Sequence, residues 1–260
     1  MPQEQTIEYN SGTMYQSDAI EALRTLPDRS VDLILTDPPY SSLEKWRAIG
    51  TTTRLKVSDA SSNEWFPVVE NSYFVDFFKE CYRILRNNSH IYVFCDFETA
   101  LAIDPMVTGA GFTRKKPVIW NKVGTLVEEC CPNCKRPVGA RRKPGSPGMG
   151  YPYRSCYELI YFGSKGDRPV TGSRNVRDVL ECERIKGDGA YPTEKPIELL
   201  QVLLGQSSVP DSLIVDPFAG SGSTILAATG LGRRAFGFDI QQATVDRFNN
   251  RPIDVINLSA

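Results

Sequence analysis

A surplus of positive charge is missing from this chain: 30 lysines and arginines face 31 aspartates and glutamates in 260 residues. That excludes a globally basic protein, so a polyanionic partner must be met by a local basic patch. No apolar run is long enough to span a bilayer, and the opening Met1-Pro-Gln-Glu-Gln5 is polar rather than charged-then-apolar. The expectation is a soluble cytoplasmic protein, without membrane contact, whose seven cysteines are mostly reduced. Histidine is almost absent. The single one, His90, stands at the start of an apolar run and reads as structural. There is no Gly-Lys-Ser/Thr ending to a glycine-rich loop, which excludes a nucleoside-triphosphate phosphate loop, and no Gly-x-Gly-x-x-Gly fingerprint for a dinucleotide. No internal repeat is found.

What is there centres on Val31-Asp-Leu-Ile-Leu-Thr-Asp-Pro-Pro-Tyr40. Val31, Leu33, Ile34 and Leu35 suit a strand buried on both faces, as in a parallel sheet. Pro38 and Pro39 end it, because proline cannot donate to a ladder. Asp37 and Tyr40 are thereby placed at the carboxyl end of a strand, the edge where open α/β sheets bind ligands. A packed tyrosine after a plain turn is the alternative.

Before this strand, Gly12 to Gln16 suits a short strand, and Asp18 a helix N-cap ahead of Ile20, Leu23 and Leu26. After it, residues 41–71 are polar and irregular, a candidate substrate loop or a disordered excursion. Helical periodicity over 72–86 puts Phe74, Phe77, Phe78 and Cys81 on one face, with Asn87-Asn88 as its end. Ile91 to Phe94 reads as a strand, Glu98 to Thr108 as a helix, and Pro117 to Trp120 and Tyr157 to Phe162 as strands. Gly166 to Ala190 is a second irregular stretch. Tyr191-Pro-Thr-Glu-Lys-Pro196 leads into an amphipathic helix, and Ser212 to Val215 is a strand. Ile225 to Ala228 belongs to a helix ended by Gly230, and Arg234 to Gly237 is the last strand.

Asp216-Pro-Phe-Ala-Gly-Ser-Gly-Ser-Thr224 is a glycine-rich turn between a strand and a helix. Glycines there let the backbone approach a ligand closely. Asp239, at the end of the next strand, has about the spacing at which a carboxylate takes a ribose diol. A nucleoside ligand without phosphates fits best.

Asp37-Pro-Pro-Tyr40 together with Phe218-Ala-Gly-Ser-Gly222 resembles the motif pair of the DNA amino-methyltransferases, which methylate adenine N6 or cytosine N4 with S-adenosylmethionine. Ser17-Asp18, Leu26-Pro-Asp-Arg-Ser-Val-Asp32 and Tyr191-Pro-Thr-Glu-Lys-Pro196 resemble that family's flanking motifs, in its β-type order. The similarity covers about residues 12–40 and 153–240. It implies a Rossmann-like α/β fold with a mostly parallel sheet, helices on both faces and an inserted target-recognition region. The expected layout is a catalytic half at 1–123, an insert at 124–153 and a cofactor-binding half at 154–260 of one domain. Catalysis would fall to Asp37, Pro38, Pro39 and Tyr40. The Asp37 carboxylate and Pro38 carbonyl would hold the two amine hydrogens, and Tyr40 would stack on a base flipped from double-stranded DNA. For S-adenosylmethionine, Phe218, Gly220 and Gly222 would line the methionine part and Asp216 face its amino group. Asp239 would take the ribose, Asp18 the adenine, and Thr193 and Lys195 the carboxylate. Asp18 as a plain cap and Lys195 as a surface lysine stay open. Asp at the first motif position and Tyr at the last point by family tendency to adenine, and cytosine N4 is the alternative. Carbon-5 cytosine chemistry would need a Pro-Cys dipeptide, which is absent. The family's protein-amide members carry Asn where Asp37 stands. A DNA-binding module without activity and an RNA methyltransferase are the remaining rivals. Whether the chain forms a homodimer or accompanies a restriction endonuclease is left open by the sequence.

Within the insert, Lys135, Arg136, Arg141, Arg142 and Lys143 form the densest basic stretch, and Arg54 and Lys56 in the first loop are a second candidate for phosphate contact. Cys131-Pro-Asn-Cys134 has the spacing of one zinc knuckle, which Cys130 and Cys156 could complete. No second Cys-x-x-Cys accompanies it, so free thiols are the preferred reading and no metal is needed for the chemistry.

Overall fold

A computed structural model describes residues 9–39, 71–124, 126–130, 134, 136–142, 153, 155–167, 169–185 and 194–251. Five strands run parallel in the order β1 (Thr13–Gln16), β11 (Arg234–Asp239), β10 (Leu213–Asp216), β2 (Val31–Thr36) and β3 (Leu85–Cys95). The sheet continues through β8 (Tyr157–Lys165), antiparallel to both β3 and β5 (Val118–Val123), and ends in β9 (Val179–Glu183), parallel to β5. The two-residue β4 (Thr113–Arg114) also pairs with β8.

The apolar alternation of the strands explains the layers. Ile34 faces a core shared with α1 (Ala19–Arg24), α2 (Asn71–Ile84) and α3 (Phe97–Gly109). Leu33 and Leu35 face a second core, closed by α4 (Ile197–Ser207), α5 (Ser223–Gly230) and α6 (Gln242–Asn249). Helices on both faces leave β2 no exposed apolar side, and Leu33, Ile34 and Leu35 are each 0% exposed. The connections fix where a ligand can sit. From β2 the chain moves outward through α2 to β3, and from β10 it moves the other way through α5 to β11. The strand order therefore reverses between β2 and β10, the position at which a crevice opens beyond the carboxyl ends of parallel strands.

Several expectations are corrected. Helix α2 stops at Ile84, and β3 begins at once, so Asn87 and Asn88 lie within the strand and not at a helix end. Asn88 takes a φ of 59°, and the pairing of β2 with β3 shifts register between Val31 and Leu33. His90 is consequently interior to β3; its Nδ1 lies 2.8 Å from Ser207 Oγ, which also meets Tyr92 Oη at 2.7 Å, so its setting is structural. The stretch read as irregular after Gly166 contains β9. Helix α6 and strand β4 were not anticipated.

Within 124–153, β6 (Leu126–Cys130) and β7 (Pro137–Arg142) pair as an antiparallel ribbon that is not part of the main sheet. Residues 41–70, the bulk of the expected substrate loop, lie outside the described residues, and Asn71 opens α2. No helix among the described residues is long and apolar enough to cross a membrane.

Candidate active site

Parallel strands bring their carboxyl ends to one edge, and each of β2, β10 and β11 delivers an aspartate there. Asp216 ends β10 and is buried; its Oδ1 accepts from Thr36 Oγ1 at 2.7 Å and from the Phe218 N–H at 3.1 Å. The first bond crosses from β2 to β10 at the strand-order reversal. The second folds the chain into the glycine turn. Burial pushes the Asp216 carboxyl up to about 6. Asp239 ends β11 and grips the same turn, with Oδ2 accepting from the Gly220 N–H at 3.2 Å and Oδ1 from the Gln241 N–H at 2.8 Å. Its carboxyl too is raised by burial.

The turn needs its glycines. Gly222 has a φ of 79°, and a Cβ there would lie 2.1 Å from Cδ2 of Phe248 in α6. On β11 a Cβ at Gly237 would lie 2.6 Å from Ala219 Cβ and 2.9 Å from Asp216 O. The turn thus rests directly on β11. Phe218 packs on Phe77 of α2, ring centroids 5.3 Å apart.

Asp37 leaves β2 beside these groups, followed by a buried Pro38. Lys195, in the run-in to α4, donates to Asp37 Oδ2. Its Nζ also lies 3.3 Å from Glu158 Oε1 of β8 and 5.0 Å from the centroid of the Phe94 ring. Glu158 Oε2 in turn meets Lys122 Nζ of β5 at 2.8 Å. Burial pushes the Asp37 carboxyl up to about 6, against the pull of Lys195 and with Glu158 adding to the rise. Burial works against charge on Lys195 as well, but the two flanking carboxylates outweigh it and raise its pKa. At Glu158 burial is likewise outweighed, by Lys195 and Lys122, and the carboxyl is lowered.

Asp18 caps α1, accepting from the N–H groups of Ile20 at 2.9 Å and Glu21 at 3.2 Å. The Tyr73 hydroxyl of α2 donates to both of its oxygens, at 3.0 and 2.9 Å. The cap stands at the same edge, since the neighbouring Ser17 N–H donates to Asp239 O. Asp37, Lys195, Asp216, Phe218, Gly220, Gly222, Asp239 and Asp18 therefore gather along one rim. Tyr40, Thr193, Arg54, Lys56 and Lys143 lie outside the described residues. Arg136 is exposed, and Arg141 and Arg142 pair with Val127 and Leu126 across the ribbon. Glu158, Lys122, Thr36 and Tyr73 were missed. Glu158 left a trace in the sequence, as an acid directly before the apolar run Leu159 to Phe162. Cys134 and Cys156 are exposed free thiols, and Cys131 lies outside the described residues. Among the described residues no group of three or more His, Cys, Asp or Glu could hold a metal.

A family model described as DNA methylase, of the N6/N4 type, matches residues 31–250. The chain belongs to this family. Among relatives, this chain is 29% identical over 245 residues to the type II methyltransferase M.HinfI of Haemophilus influenzae, covering 90% of this chain but only 66% of that enzyme. It therefore spans slightly less than two thirds of that relative's length. Among solved structures, the PvuII DNA methyltransferase, described as cytosine-N4-specific, superposes with a TM-score of 0.62 at 17% identity, over 95% of this chain and 90% of that one. M1.HpyAVI in complex with SAM superposes with a TM-score of 0.59 at 18% identity, over 92% of this chain and 99% of that one. At such identities the likeness is one of fold.

Proposed function

We propose that this methylase transfers a methyl group from S-adenosylmethionine to the exocyclic N6 of adenine in double-stranded DNA, directly and on a flipped-out base. The observation that carries the reading is the Asp37 carboxylate. It stands at the strand-order reversal, held by a buried ammonium on one oxygen, next to a glycine turn pinned between two further aspartates.

The rim suits that methyl donor. The turn and the strand ends beside it contribute carboxylates, which fit a ligand bearing an ammonium and a ribose diol and no phosphate. Phe218, Gly220 and Gly222 would line its methionine part, Asp216 its amino group, Asp239 the ribose and Asp18 the adenine. Thr193 would meet its carboxylate, whereas Lys195, expected there from the motif, is engaged by Asp37 and Glu158. When bound, the sulfonium supplies a methyl group already activated for transfer, so positioning is most of what the chain must add.

An exocyclic amine is a weak nucleophile because its lone pair is shared with the ring. Acceptors for both hydrogens favour a tetrahedral nitrogen with a free lone pair, and the Asp37 carboxylate and the Pro38 carbonyl are the two acceptors assigned. Tyr40 would stack on the extruded base. Adenine is preferred because Asp37 and Tyr40 occupy the ends of the motif. Cytosine N4 presents the same two hydrogens, so product analysis decides. Incubation with unmethylated DNA and labelled cofactor, followed by mass spectrometry of the nucleosides, should find the label in N6-methyladenine. Label in N4-methylcytosine overturns the choice of base, and none in DNA overturns the reading.

The carboxylate is a strong acceptor on both oxygens only when ionised, so its raised pKa sets a sign. As pH falls through about 6, Asp37 takes up a proton and loses acceptor capacity. Single-turnover transfer should therefore fall on the acid side of about 6 and level off above it. A rate that does not change from about one unit below that midpoint to about two units above it would remove Asp37 from the chemical step.

Phosphate contact is assigned to the insert. Neutralising Arg141 and Arg142 together should weaken DNA binding and flatten its salt dependence, the slope of log K against log salt dropping by about 1 to 2. An unchanged slope in a binding titration would put the contact elsewhere.

A further inference from the structure

Four buried or largely enclosed charges alternate in a row: Asp37, Lys195, Glu158 and Lys122. They come from four places in the fold, the exit of β2, the run-in to α4, β8 and β5. Their side chains are 23%, 10%, 14% and 20% exposed in that order. Both ammonium groups also lie over rings, Lys195 over Phe94 at 5.0 Å and Lys122 over Trp120 at 4.8 Å. With a carboxylate on either side and a ring beneath, Lys195 has little freedom to move.

Stability is a weak explanation for such a row. Taking four charges out of water is costly, and replacing buried ion pairs with apolar side chains is often neutral or stabilising. The row instead ends on the carboxylate assigned to the target amine. A lysine paired with Asp37 alone would hold it in place but cancel much of its charge, leaving a poor acceptor. A second carboxylate on the far side of that lysine changes the balance, because the ammonium is then shared.

We propose that Glu158 is a positioning residue for methyl transfer: it holds Lys195 between two carboxylates, so that Lys195 fixes Asp37 Oδ2 without neutralising Asp37, and Oδ1 meets the target amine as a strong acceptor. Lys122 balances the charge of Glu158. The proposal rests on the reading of Asp37 given above and adds two residues outside the Asp-Pro-Pro-Tyr and glycine-turn motifs.

The test compares the wild-type protein with Glu158→Gln and with the double variant Lys122→Met/Glu158→Gln, in which the row shrinks to the balanced pair Asp37 and Lys195. For each, kcat, KM for DNA, cofactor affinity, the pH profile of transfer and the melting temperature are measured. Glu158→Gln should lower kcat by about 100-fold, the scale of a small misplacement of a reacting group, with KM and cofactor affinity nearly unchanged. Its acid limb should move to lower pH. Among the described residues, the charged and titratable groups around Asp37 are Lys195, Glu158, Lys122, Asp216 and Cys95, and the variant removes only the repulsion from Glu158. The double variant should regain the melting temperature lost on leaving Lys122 unpaired, but not the kcat.

A kcat near wild type in Glu158→Gln, an unmoved acid limb, or recovery of kcat together with melting temperature in the double variant would each overturn the proposal. Absence of transfer by the wild-type protein overturns the reading of Asp37, and this proposal with it. Wild-type transfer with an unaltered variant overturns this proposal alone.

Discussion

Asp37→Ala should reduce methyl transfer by about 100- to 1,000-fold, the scale seen when one preorganised polar group is taken from a reacting centre. Cofactor affinity should hardly change. The distinction follows from what Asp37 touches. Among the described residues its side chain bonds to Lys195, and Lys195 keeps Glu158 when Asp37 is removed. The glycine turn is held by Asp216 and Asp239 and does not depend on Asp37. Asp37→Asn is the more demanding comparison. The amide keeps the size of the side chain, but Lys195 can be met only by its oxygen, which turns the NH2 toward the base. A donor then faces a donor, so Asn should fail as completely as Ala. Transfer by Asp37→Asn above a few per cent of wild type would show that Lys195 does not orient this residue. Equilibrium titration with cofactor, run beside the transfer assay, separates lost chemistry from lost binding.

These two variants depend on a contact that no local pattern announces. Strand β2 and the turn after β10 were legible because their signals are short-range: an apolar run stopped by two prolines, and glycines spaced between a strand and a helix. Asp18 as an N-cap was legible for the same reason. The pairing of Lys195 with Asp37 joins positions 158 residues apart. The Tyr-Pro-Thr-Glu-Lys-Pro motif placed the lysine at a helix start, and the cofactor carboxylate was then its only evident partner. What brings it to Asp37 is the order of the sheet, with β8 inserted antiparallel between β3 and β5, so that Glu158 and Lys122 stand side by side. Strand β9 was illegible on other grounds. It is the last strand of the sheet and Val179 is 44% exposed, so its sequence lacks the apolar run that marks an interior strand.

Helix α6 was likewise missed, since Val245 and Phe248 are its only buried large apolar residues, and yet Phe248 underlies the second large effect. Gly222→Ala should cost about 2 to 5 kcal/mol, the sum of a left-handed backbone forced on a residue with a Cβ and of overpacking against a ring. The backbone part follows from the φ of 79°, and the packing part from a Cβ that would lie 2.1 Å from Phe248 Cδ2. A control separates the two. Gly232 has nearly the same backbone, a φ of 72°, but a Cβ there would meet nothing within 4 Å. Gly232→Ala should therefore lose only the backbone share, about 1 to 2 kcal/mol, and bind cofactor normally. In Gly222→Ala the ring and the turn cannot both stay where they are. The turn carries Gly220, whose N–H holds Asp239, so the shift reaches the carboxylate assigned to the ribose. Cofactor affinity should drop along with stability. Urea unfolding and cofactor titration of both variants give the comparison. Equal losses at the two glycines would mean that Phe248 yields without cost, and that the turn does not draw its shape from α6.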